Sequence, residues 1–162
     1  MQKSIVTFLL IAGLFFTGYT FYKNIMSPDF PGLEMDLQDI NGKKFDRNSL
    51  NGKYILVSYF KSWCGDCIRE IPSIRLLQTK VGEENLAVVF ISDEADSKIS
   101  AFRQRFGAEL EILKTNIPFK NLGIHAYPTT FLLDPNGKIL MQKQEGFDWS
   151  KVEVLEKVKA LN

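Results

Sequence analysis

A seven-residue uncharged run, Tyr54–Phe60, ends four residues before Cys64, and from Asp66 to Val81 the apolar residues Ile68, Ile71, Ile74, Leu77 and Val81 recur every three or four positions. The nearly continuous apolar run predicts a strand covered on both faces. The spacing after it predicts one buried helix face, stopped at Gly82 and kinked at Pro72. The chain has two cysteines, Cys64 and Cys67, and both fall at this strand–helix junction. Local chemistry and fold are therefore tied together at one point of the chain.

The flanking sequence extends the pattern. Asn41-Gly42 is a two-residue hairpin signal, with strands predicted at about 34–39 and 43–46. Leu86–Ile91 predicts a second buried strand. Ala95, Ile99, Phe102 and Phe106 form the next helical stripe, closed by Gly107, and Glu111–Lys114 a short strand. Thr129–Leu133 and Lys138–Lys143 are an antiparallel pair around the turn Asp134-Pro135-Asn136-Gly137. Asp148 can cap a last helix whose buried side is Val152, Leu155, Val158 and Leu161. This order predicts a three-layer α/β fold with a mixed central sheet and an added N-terminal β-hairpin. With 45% hydrophobic residues and 13 Phe, the domain has material for a full core.

The first residues differ from the rest. Ile5–Tyr22 is 18 residues without a charge. As a helix it would be about 27 Å long, close to the roughly 30 Å of a hydrocarbon core. Lys3 precedes it, Lys23 follows it, and Tyr19 and Tyr22 sit where an aromatic belt is expected. A cleaved signal peptide would want small residues at its exit; here the exit is Tyr19-Thr20-Phe21-Tyr22. Residues 1–22 are therefore read as a retained membrane anchor (or uncleaved signal), a single transmembrane helix. Residues 23–33, with Pro28, Pro31 and Gly32, read as a linker, and 34–162 as one domain.

Charge and ligand counts exclude several classes. Lys and Arg number 20 against 19 Asp and Glu, and no basic stripe suggests nucleic acid. Two Cys and one His cannot supply a multi-disulfide scaffold or a closed zinc site.

Three readings of Cys64-Gly65-Asp66-Cys67 remain. A structural disulfide closing so short a loop removes little unfolded-state entropy. A metal half-site would need His125 and a carboxylate to complete it. A redox dithiol fits the placement: at a helix N-terminus, free N–H groups and the macrodipole favour the Cys64 thiolate, and Cys67 lies within the first turn.

The motif Trp63-Cys64-Gly65-Asp66-Cys67 resembles the W-C-x-x-C of the thioredoxin superfamily. Pro72, five residues after Cys67, matches that family's helix proline. Tyr127-Pro128-Thr129-Thr130 resembles its cis-proline loop, and Asp134–Lys138 the D-x-x-G-K hairpin after it. With the anchor and N-terminal hairpin, the chain is most similar to the TlpA/ResA-type thiol–disulfide oxidoreductases. That resemblance implies a thioredoxin-like fold and a redox-active Cys64–Cys67 disulfide, with no other cofactor and no metal. Trp63, Tyr127, Pro128 and Thr129 would then meet the substrate, with Trp63 beside the dithiol limiting solvent.

Glu70 is implied as a third catalytic residue, exchanging a proton with Cys67 from one turn along the helix. Thioredoxin itself carries a buried Asp on the preceding strand, where this chain has Ser58. Gly65 and Asp66 lie between the cysteines and would tune the redox pair; the Asp66 carboxylate disfavours thiolates and should make the pair more reducing. His125 reads as a surface loop residue.

The implied activity is reduction of protein disulfides outside the cytoplasm. Electrons would come from a transmembrane thiol donor, with apocytochrome c or wrongly oxidised proteins as substrates. The implied location is the bacterial inner membrane, single-pass, with the catalytic domain on the periplasmic or extracytoplasmic side. Rival readings are a disulfide oxidase, a copper-binding metallochaperone using Cys64, Cys67 and His125, and a thiol peroxidase. Against the last, the peroxiredoxin pattern P-x-x-x-T-x-x-C would need Pro and Thr where the chain has Val57 and Lys61.

Overall fold

The computed structural model describes residues 8, 10–19, 29–33, 35–107 and 109–159. The elements are α1 (10–19), β1 (Leu37–Gln38), β2 (Tyr54–Tyr59), α2 (Gly65–Val81), β3 (Leu86–Ser92), α3 (Asp96–Phe106), β4 (Ile112–Thr115), β5 (Thr129–Leu133), β6 (Ile139–Lys143) and α4 (Val152–Lys159), with 3₁₀ turns at Arg47–Leu50 and Phe119–Leu122. Among the described residues the strands form one sheet in the order β1-β4-β3-β2-β5-β6. β2, β3 and β4 run parallel; β1, β5 and β6 are antiparallel to their neighbours. The predicted mixed sheet is thus present.

Topology decides where the helices lie. β2-α2-β3 and β3-α3-β4 step across the sheet in the same direction, and right-handed crossovers then place both helices on one face. Accordingly Ile71, Ile74 and Leu77 of α2, Ile99 and Phe102 of α3, and Val154 and Val158 of α4 share one core with Leu56, Phe60 and Phe90. Each buried Ile or Leu there contributes roughly 1.5–3 kcal/mol, so Ile74→Ala would be costly. The opposite face buries Val57, Tyr59, Val89 and Phe131 beneath Leu37, Leu50, Phe119 and Ile124. The expected third layer is built there from 3₁₀ turns and irregular chain rather than an α-helix.

Several local readings are corrected. The N-terminal hairpin is reduced: β1 has two residues and pairs with β4, while its other arm touches it by a single bridge, Gln38–Lys44. The Asp39 carboxylate accepts from the N–H groups of Asn41 and Lys43 at 2.8 and 2.9 Å. With Gly42 at φ +79°, this makes the loop three residues, Ile40 to Gly42, rather than two. Asp148 does not cap α4; it accepts from Ser150 N–H and Oγ in the turn before Val152. Val152 is exposed and Val154 with Val158 forms the buried side. α2 runs through Pro72 as one helix.

The apolar side chains of α1, Leu10, Ile11, Leu14, Phe15, Phe16 and Tyr19, are all exposed. Among the described residues no helix is long and apolar enough to cross a membrane. Residues 5–7, 9 and 20–22 of the anchor reading, most of the linker and Leu161 lie outside the described residues.

Candidate active site

The dithiol sits where α2 begins. Cys64 is the N-cap: its backbone is extended, and its Sγ accepts from the Cys67 N–H at 3.1 Å. That contact satisfies one of the orphan donors of a helix start. Cys64 and Cys67 are disulfide-bonded, with Cα atoms 5.3 Å apart, and both residues are buried. Gly65 is the first helical residue, and a Cβ there would meet the Arg69 guanidinium at 3.4 Å.

The segment entering the site is clamped by two acids that follow β3. Asp93 forms an ion pair with Lys61 and accepts from the Phe119 N–H at 2.9 Å. Glu94 accepts from Ser62 twice, from its N–H at 2.6 Å and its hydroxyl at 3.0 Å. The Lys61 ammonium also lies 5.0 Å from the Phe119 ring centre and 5.5 Å from that of Tyr127. Sequence reasoning did not single out Lys61, Asp93 or Glu94. Their signal was faint: two adjacent acids at the end of a buried strand.

The outer rim carries the aromatic residues. The Tyr127–Pro128 peptide is cis, as the family resemblance implies. Trp63 meets Tyr127 edge-on at 6.0 Å but remains 68% exposed. A ring this open to water offers a surface to a partner, while Cys64 and Cys67 beside it are buried. Thr129 is fully buried and its hydroxyl donates to the Ala126 carbonyl at 2.8 Å, bracing the loop from inside. His125 is an exposed loop residue ahead of Tyr127.

The inner wall is built around Glu70, which is only 2% exposed. One oxygen, Oε1, accepts from the Phe147 N–H at 3.0 Å and from the Trp149 indole N–H at 3.1 Å. The other, Oε2, lies 3.3 Å from the Thr130 hydroxyl, which in turn lies 3.0 Å from the Ser58 hydroxyl. Strand parity explains the meeting. Ser58 and Thr130 are cross-strand partners of β2 and β5, and the neighbours of Ser58 on its own side of β2, Leu56 and Phe60, belong to the helix-side core. Ser58 thus marks where thioredoxin carries its strand carboxyl, and here the carboxyl reaches that place from the helix.

Burial pushes the Glu70 carboxyl up to about 7, against the pull of its hydrogen bonds from Phe147, Trp149 and Thr130. Ser73 ties the same loop down, since its hydroxyl accepts from the Trp149 N–H at 3.2 Å. The loop contributions of Phe147 and Trp149 were invisible to sequence reasoning, which had no means to fold residues 146–150 onto α2.

Asp66 lies on the outer side of the same helix, half-exposed and paired with Arg69, whose side chain is largely in water. Both border an open groove of about 620 Å³ running along Ser73, Leu76 and Phe147. No group of three or more His, Cys, Asp and Glu among the described residues is placed to hold a metal ion.

The AhpC/TSA family profile matches residues 28–142. The thiol-disulfide oxidoreductase ResA of Geobacillus thermodenitrificans is 26% identical over 153 residues, covering 86% of this chain and 83% of that protein. The thioredoxin-like protein YneN of Bacillus subtilis is 26% identical over 156 residues, covering 86% and 88%. Among solved structures, a thiol-disulfide oxidoreductase from Bacteroides fragilis superposes with a TM-score of 0.61 at 21% identity, over 78% of this chain and 95% of that one; this is a likeness of fold. The chain belongs to the AhpC/TSA family, and the thioredoxin-like resemblance read from the motifs agrees with these findings.

Proposed function

We propose that this member of the AhpC/TSA family reduces protein disulfides outside the cytoplasm, tethered to the bacterial inner membrane by residues 5–22. The chain is a thiol–disulfide oxidoreductase; direction, location and partners are the proposal. The observation that carries it is a dithiol at a helix N-terminus with an ionisable carboxyl buried on the next turn.

In the reduced enzyme the Cys64 thiolate attacks one sulfur of a target disulfide. That S–S bond breaks, the departing target thiolate takes a proton from water, and a mixed disulfide forms. Cys67 is buried, so water is a poor acceptor for its proton. Ionised Glu70 takes that proton, and a carboxyl with a pKa of about 7 is suited to do so near neutral pH. The Cys67 thiolate then attacks Cys64 Sγ; the Cys64–target S–S bond breaks, and the second target sulfur leaves as a thiolate that takes a proton from water. Two electrons pass to the target, and the Cys64–Cys67 disulfide remains.

A transmembrane thiol donor would re-reduce it, so the pair itself is the redox group and no further cofactor is needed. Exposed Trp63 and the Tyr127-Pro128 loop offer the surface for an extended substrate chain. Apocytochrome c and wrongly oxidised proteins both fit that description. The peroxidase reading is less favoured, because Lys61 is committed to Asp93.

The deciding measurement is the reduction potential of the pair in the full chain, equilibrated with a defined thiol buffer. A value near or below about −270 mV supports a reductant; one towards about −120 mV makes the protein an oxidase. Resistance of the chain to alkaline extraction from membranes tests the anchor.

A further inference from the structure

Glu70 divides its two oxygens between different kinds of partner. Oε1 is held by two N–H groups, from Phe147 and Trp149, and neither can accept a proton. A hydrogen on Oε1 would face two donors. Oε2 instead faces Thr130, a hydroxyl that can both donate and accept. Behind Thr130 stands a second hydroxyl, Ser58, at 3.0 Å. Ser58 and Thr130 are 1% and 0% exposed, so both hydroxyls lie away from bulk solvent.

We infer that the proton Glu70 gains and loses resides on Oε2, and that Thr130 and Ser58 are positioning residues whose hydroxyl pair reverses direction with the charge of Glu70. With Glu70 ionised, Thr130 donates to Oε2 and Ser58 is free to donate to Thr130. With Glu70 protonated, Oε2–H donates to Thr130 and Thr130 donates to Ser58. Either state keeps both contacts, Oε2–Thr130 and Thr130–Ser58, and no heavy atom has to move. The proton itself is exchanged with Cys67 as described above, so this inference deepens that reading and rests on it.

The groups facing Glu70 are few. Ser58 comes from β2, Thr130 from β5, Cys67 from its own helix, and the Phe147 N–H and Trp149 indole from the loop before α4. The charged residues Asp66, Arg69 and Asp148 share the open groove with Glu70, and none is hydrogen-bonded to it.

Two isosteric deletions should move Glu70 in opposite directions. Thr130→Val removes a charge-assisted bond from the ionised form and a weaker neutral one from the acid, so the Glu70 midpoint should rise, by roughly one pH unit. Ser58→Ala removes the acceptor that Thr130 needs when Glu70 is protonated. The Thr130 proton then has only the carboxylate left, and the midpoint should fall. Thr130→Ser restores the hydroxyl and should return the midpoint close to the parent value.

The readout is the carbonyl infrared band of protonated Glu70, identified by its loss in Glu70→Gln and titrated in the oxidised full chain, where the cysteines are silent. Opposite shifts with rescue by Thr130→Ser establish the relay. Shifts of the same sign, or an unmoved midpoint in Thr130→Val, overturn it. Should Thr130→Val not fold, Ser58→Ala decides alone: a rise or no change overturns the relay. Activity separates the two readings. Normal exchange by Glu70→Gln would remove Glu70 from the reaction and leave the titration result standing. Slowed exchange with unmoved titrations would do the reverse.

Discussion

Asp66 and Glu70 stand one helical turn apart on α2, and their surroundings differ in every respect. Asp66 borders an open groove, and its charge is met by Arg69 in water. Glu70 lines the inner end of the same groove but is 2% exposed, held between α2, two strands and the 146–150 loop by neutral partners. Solvent screens the first carboxylate, so its field at the sulfurs is weak. Desolvation lifts the second towards neutrality, so its proton is exchangeable near pH 7. The comparison separates a rim that presents surface to a partner from a wall that manages protons. Distance along the sequence is a poor guide to influence; burial decides it.

The largest expected effect tests the dithiol that both regions serve. Cys64→Ser should reduce disulfide exchange to the uncatalysed rate, measured with a model protein disulfide. Full activity in that variant would sink the mechanism.

Glu70→Gln comes next, with resolution of the mixed disulfide slowed on the order of 10²-fold and the inflection near pH 7 lost from the rate profile. It also has a signature in stability. The folded carboxyl titrates at about 7 against an ordinary 4.5, so between those values the native state binds more protons than the unfolded one. Stability contributed by this group therefore falls as pH rises through that window, by on the order of 3 kcal/mol. Glu70→Gln mimics the neutral acid and should flatten that part of the curve, as read by urea unfolding from acid to mild alkali. An unchanged slope would place Glu70 in water and dissolve the contrast.

Trp149→Phe keeps a ring in the core and deletes one donor to Oε1. The ionised form loses a hydrogen bond, so the Glu70 midpoint should rise further, and stability at pH 8 should drop by about 1 kcal/mol. A fall in the midpoint would contradict the assignment of that N–H.

Asp66→Asn should do least. An exposed pair contributes at most about 1 kcal/mol, so the reduction potential should move by less than about 20 mV. Equilibration with a thiol buffer measures it. A shift several times larger would show that the rim tunes the sulfurs after all, and would restore the reading of Asp66 as a determinant of redox poise.

Much of the fold was legible because its signals are local. β5 and its turn stand where Thr129–Leu133 and Asp134–Gly137 predicted them, since alternation, Pro and Gly act within a few residues. The site's two cysteines and the cis-proline position were legible for the same reason. Glu70 was reachable by its spacing from Cys67, but its burial was not. The misread elements are those where a side chain outside the pattern decides. Asp39 re-forms the hairpin loop through its own carboxylate, and Asp148 spends its oxygen on Ser150 rather than on α4. Lys61, Asp93 and Glu94 were passed over because each looks like an ordinary surface charge until β2 and β3 end side by side.

By itself the sequence determined that a buried strand would feed a helix at the two cysteines, because apolar run and helical period are properties of consecutive residues. It also determined which chemistry that junction can hold. Only the tertiary structure decided the proton environment. Oε1 of Glu70 meets donors from positions 147 and 149, and Oε2 meets hydroxyls from positions 130 and 58. Such meetings depend on strand register and on how one loop closes over a helix, and no periodicity in the chain encodes either.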